Sequence, residues 1–117
     1  MYFYKKLYVS PQIADPEEVR RKLLRGAGML DIYVITLIPD PQRRGGDQME
    51  LYHCANLHQP YYREHPPLIL GLAKGRGDAI AVVQQILEEA VSATGRADVH
   101  GYLVPGGIRL GGGKGVT

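Results

Sequence analysis

Apolar positions recur along this chain in two rhythms. Ala79, Val82, Val83, Ile86, Leu87, Ala90 and Val91 return every third or fourth residue, with Gln84, Gln85, Glu88 and Glu89 between them. That spacing lines one face of a helix, and Gly95 supplies its stop. Residues 31–38 (DIYVITLI) and 68–73 (LILGLA) are apolar almost throughout, as strands covered on both faces are. Residues 2–9 and 49–54 are rich in aromatic and branched residues and read as strands. The last strand is expected over residues 98–104.

A second helix is signalled by its ends. Asp15-Pro16-Glu17-Glu18 provides an N-cap, a proline at the first helical position and two acids in the first turn, which predicts a helix over residues 16–25. Its apolar stripe is Val19, Leu23, Leu24 and Ala27, and Gly26 and Gly28 are placed to end it. Residues 39–48 hold two prolines, Arg43, Arg44 and Gly45-Gly46, the composition of a hairpin turn. Residues 55–67 lack a clean period, and Pro60, Pro66 and Pro67 predict a surface loop there. Glycine dominates residues 105–117, which predicts a flexible tail behind a single α+β domain over residues 1–104.

The resulting order, β-α-β-β-β-α-β, fits a ferredoxin-like βαβββαβ fold. It would be a mixed five-stranded sheet with two helices on one face, if each crossover is right-handed. The first strand would lie between the fifth and the fourth, followed by the second and the third. The opposite sheet face would then be bare. Because residues 31–38 and 68–73 are apolar on both sides, this arrangement predicts self-association as a homodimer packed sheet to sheet.

Charge narrows the partners. Fourteen basic residues stand against twelve acidic ones, which makes no strong field for a polyanion. Arg20, Arg21, Lys22 and Arg25 with Arg43 and Arg44 form the only candidate basic surface, but Glu17 and Glu18 pair with Arg21 and Lys22 at helical spacing. Neither apolar strand carries the basic-glycine-aromatic pattern of RNA-recognition sheets, so nucleic acid is not expected as a partner. The lone cysteine, Cys54, cannot form an intrachain disulfide. The start of the chain lacks the parts of a secretory signal, and no run approaches the roughly 18 apolar residues of a membrane span. A cytoplasmic protein without membrane contact is the expectation.

Three groups of residues carry candidate chemistry. The turn from Gly71 to Asp78 includes Lys74, Gly75, Arg76 and Gly77. It can aim backbone N–H groups and a helix dipole at an anion. It matches neither the dinucleotide nor the Walker phosphate-loop pattern, and its glycines also serve simply to turn the chain ahead of an Asp78 cap. Arg76-Gly77-Asp78 spells a cell-adhesion tripeptide, to which no weight attaches in a chain without an export signal. His53, Cys54, His58 and His65 offer metal-ligand atoms or a thiol nucleophile with a base nearby. Adjacent strand residues point to opposite faces, however, and no zinc-type spacing is present. Tyr61, Tyr62, Arg63 and His65 could form a contact surface on their loop.

Ser10, Ser92 and the acids show no triad or carboxylate pair. The leading expectation is therefore a small binding or interaction module without catalysis or cofactor. The alternatives are an anion- or nucleotide-binding regulatory domain built on residues 74–77, and a metal- or cysteine-dependent protein built on residues 53–65.

Overall fold

The computed structural model describes residues 1–39, 47–105 and the backbone of residues 115 and 116. The sheet is built from β1 (Tyr2–Val9), β2 (Ile32–Leu37), β3 (Met49–His53) and β4 (Leu68–Lys74), in the order β3-β2-β4-β1. β1 and β4 are parallel, whereas β2 runs antiparallel to both β4 and β3. The order of these four strands is the expected one. A two-residue strand, β5 (Gly115–Val116), pairs in parallel with Phe3 and Tyr4 at the outer edge. Otherwise the expected tail, like most of the turn over residues 39–48 with Arg43 and Arg44, lies outside the described residues.

Helix α1 (Pro16–Arg25) forms as its ends predict. The Asp15 side chain accepts from the Glu18 N–H at 3.1 Å, and Gly26 closes the helix in the left-handed conformation at φ 75°. After β3 a 3-10 turn over Cys54–His58 leads into α2 (Pro60–Glu64). These short elements replace the expected loop. Pro60 starts α2 because the first helical position needs no N–H, so a proline there favours the helix. Helix α3 (Arg76–Thr94) begins at a Gly75 cap with φ 87°, three residues ahead of the expected Asp78 cap, and ends at Gly95.

The ferredoxin-like expectation is overturned in three places. First, the segment expected as a fifth strand is α4 (Val99–Leu103). The Asp98 carboxylate accepts from the Gly101 N–H at 2.9 Å and caps it. Gln48 clasps α4 to the sheet by donating to Ala97 O and accepting from His100 N–H.

Second, the helices lie on both faces of the sheet. Ile35, Leu37, Leu68 and Leu70 pack with Ala79, Val82, Ile86 and Ala90 of α3 and with Val99 and Leu103 of α4. On the other face Phe3, Val34, Ile69 and Leu72 pack with Leu23 of α1 and with Cys54 and Leu57 of the 3-10 turn. The doubly apolar strands are thus covered by the chain's own helices, which removes the bare face that motivated a sheet-to-sheet dimer.

Third, β1 and β2 are antiparallel, so α1 is no parallel crossover and the handedness rule does not assign it a side. The α+β class stands, but the ferredoxin-like sheet with residues 98–104 as its fifth strand and two helices on one face does not. No helix among the described residues is long and apolar enough to cross a membrane.

Candidate functional site

β1 and β4 are parallel neighbours whose following helices depart to opposite faces: α1 after β1, α3 after β4. Such a divergence opens a crevice outside the carboxyl ends of the two strands, the usual ligand position in open α/β sheets. Two hydrogen bonds fix the turn that floors it. The Lys74 N–H donates to the buried Ser10 Oγ at 3.2 Å, and the Gly75 N–H donates to Asp31 O at 2.7 Å.

A cleft of about 460 Å³ lies at this end of the molecule. Ile13, Val19, Met29 and Leu30 form its apolar lining, Gln12, Asp15, Glu18 and Asp31 its polar part, and Lys22 and Lys74 its cations. Lys22 is engaged by Glu18 at 3.1 Å. Of the four residues expected to bind an anion, only Lys74 lines the cleft. Gly75 turns the chain into α3 and leaves that helix without a side-chain cap, while Arg76 and Gly77 form its first turn. The acids around the cleft and its wall from residues 28–32 were invisible in the sequence, because they come from segments joined only by the fold.

The histidines and the cysteine are dispersed. His53 accepts from the Ala55 N–H through Nδ1 at 3.0 Å and meets Leu30 O through Nε2 at 2.7 Å, so both ring nitrogens hold backbone. Cys54 is buried, with its sulfur 3.5 Å from Met29 O, and burial pushes the thiol above its ordinary range. A desolvated thiol of that kind is a poor nucleophile. Cys54 and His58 do line one small cleft, about 180 Å³ at the end of α1, but His53 and His65 do not reach it. Among the described residues no three His, Cys, Asp or Glu side chains are grouped to hold a metal ion.

Tyr61, Tyr62, Arg63 and His65 lie on and just after α2. The His65 ring stacks on Tyr61 with centroids 4.4 Å apart, Tyr62 meets Tyr61 edge-on at 5.1 Å, and Tyr62 stacks on Tyr52 of β3 at 5.3 Å. The aromatic series thus runs from the sheet edge outward to Tyr61, which is 58% exposed.

A second polar cluster escaped the sequence reading. Tyr4 and Tyr8 of β1 face Glu89 of α3 and Tyr102 of α4 across a cleft of about 330 Å³. Tyr8 Oη donates to Glu89 Oε1 at 2.6 Å and Tyr102 Oη to the same oxygen at 3.3 Å. The Tyr8 bond holds the Glu89 carboxyl below its usual range, while burial first and Glu89 second push the Tyr8 phenol up. Repeated tyrosines at alternate positions of YFYKKLY were the available signal, but their acidic partner is 81 residues away. Comparison of the chain with protein-family models, curated proteins and solved structures gives no match.

Proposed function

We propose that this chain is a non-catalytic binding protein for a small, hydroxyl-rich metabolite with an anionic group, of which a nucleotide is the example. The ligand sits in the crevice at the carboxyl ends of β1 and β4. The observation that carries this reading is the divergence of α1 and α3 to opposite faces from adjacent parallel strands, with Lys74 on the crevice wall. Lys74, the cation of the cleft wall that no carboxylate of the described residues is seen to engage, supplies the anion's partner. Asp15, Glu18 and Asp31 would repel a bare polyanion but accept from ligand hydroxyl groups, and the apolar wall suits a ring.

Thermal unfolding against nucleotides, sugar phosphates and inorganic phosphate tests the proposal. A ligand at 100 times its dissociation constant adds about 2.7 kcal/mol to the native state, which raises the midpoint by about ten degrees. The substitution Lys74→Ala is expected to remove that rise and leave the ligand-free midpoint in place. A panel without any rise overturns the proposal.

A second reading, an interaction module for a protein partner, is favoured by one observation. The Tyr61–His65 stack projects from α2 with Tyr61 largely in solvent. Tyr61→Ala would then abolish partner capture without altering the thermal response to ligands.

A further inference from the structure

The cleft between β1, α3 and α4 is lined by Tyr4, Lys6, Tyr8, Glu89, Tyr102 and Leu103. It opens where β1 leaves its neighbour. Phe3 pairs with Ile69 and Tyr8 with Gly71, so residues 4–7 stand opposite Leu70 alone. An irregularity of this kind re-aims the side chains it carries. The cleft shares Glu89 and Tyr102 with a broader depression lined also by Gln85, Glu88 and Ser92.

The hydrogen-bond inventory of this cleft is one-sided. Each tyrosine has a single hydroxyl hydrogen. Tyr8 and Tyr102 give theirs to Glu89 Oε1, and Tyr4 gives its own to Leu103 O at 3.2 Å. Gln85 Nε2 donates to Glu89 Oε2 at 3.1 Å, and this holds the carboxylate in place. What the described residues leave toward the cleft is acceptor lone pairs, aromatic surface and one negative charge. Among the described residues the single cation lining it is Lys6, whose side chain is exposed on a flexible stem.

We propose that this acceptor-lined tyrosine cleft is a second binding site, specific for an organic cation that donates hydrogen bonds, an alkylguanidinium or alkylammonium group. The cation lies against the tyrosines and the Glu89 carboxylate, while Lys6 competes for the same charge. The site is separate from the crevice at Lys74: the two share no lining residue.

Two-dimensional NMR of the full chain, titrated with butylguanidinium and with butylurea, tests this. The two probes have nearly the same shape, but only the first is charged. Saturable shifts at Tyr4, Tyr8, Glu89 and Tyr102 with butylguanidinium alone are expected, and added salt should weaken them. Glu89→Gln keeps an oxygen for the tyrosine hydroxyls but loses the charge, and should weaken binding about tenfold. Lys6→Ala, at an exposed position that leaves the fold intact, should tighten it. An equal response to butylurea, shifts located elsewhere, or an affinity indifferent to both substitutions overturns the proposal.

Discussion

Gly71 shows how a single position is fixed by its neighbours. In the sequence it falls within the strand expected over residues 68–73 as well as opening the glycine-rich turn, and in the fold it lies within β4, paired with Tyr8 and with Ile35. A Cβ added there would stand 2.9 Å from Val82 Cγ1 and 3.3 Å from Tyr8 O. Val82 sits on a buried helix face and Tyr8 O is backbone, so neither yields cheaply. Gly71→Ala is expected to destabilise the protein by about 1–3 kcal/mol, read from the urea midpoint. Gly75 differs: its φ of 87° demands glycine although a side chain would meet nothing there. Two nearby glycines thus have different physical causes: close packing at Gly71 and a backbone of positive φ at Gly75.

At the level of elements, legibility followed the locality of the signal. Helices α1 and α3 were readable because the apolar stripe and terminal glycine of each, with the proline and capping residue of α1, lie at or within the segment they specify. α4 was not. Val99 and Leu103 stand four apart, which suits one helical turn and a strand face alike, and a five-residue element has no second period to decide. The deciding contacts are Asp98 on Gly101 and the clasp by Gln48, whose partner His100 is 52 residues away in the chain. A side chain at residue 101 would collide with the Asp98 carboxylate, so the cap and the glycine form one device. Asp98→Ala should cost about 1 kcal/mol, with Asp98→Asn recovering most of it, measured by chemical denaturation.

For the whole molecule, the tyrosines and Glu89 join β1, α3 and α4, and this linkage sets a response to pH. The Glu89 carboxyl is held low in the native state, chiefly by Tyr8. Its contribution is therefore present above the ordinary carboxylate range and lost as pH falls through the depressed value. The phenols of Tyr4, Tyr8 and Tyr52 are pushed up, in each case first by burial. Their contribution is complete below the usual phenol value of about 10 and lost as pH rises above it. Urea midpoints should form a plateau that falls on both limbs, and Tyr8→Phe should flatten both relative to the plateau. Limbs unchanged by that substitution would separate the pH response from this cluster.

The sequence by itself determined the α+β class, the presence of four strands, both limits of α1 and the end of α3. These follow from spacing, turns and caps that act within one segment. Only the tertiary structure decided which face each helix covers. A strand that is apolar on both sides demands two partners without saying whether they are helices of its own chain or a second copy. Leu23 of α1 and Ile86 of α3 answer this by burying against opposite faces of the sheet. That division also places Lys74 at the end of a crevice beside Asp31 and gathers Tyr4, Tyr8, Glu89 and Tyr102 around a cleft. Both sites are built from residues far apart in the chain, joined only when the two layers of helices close on the sheet.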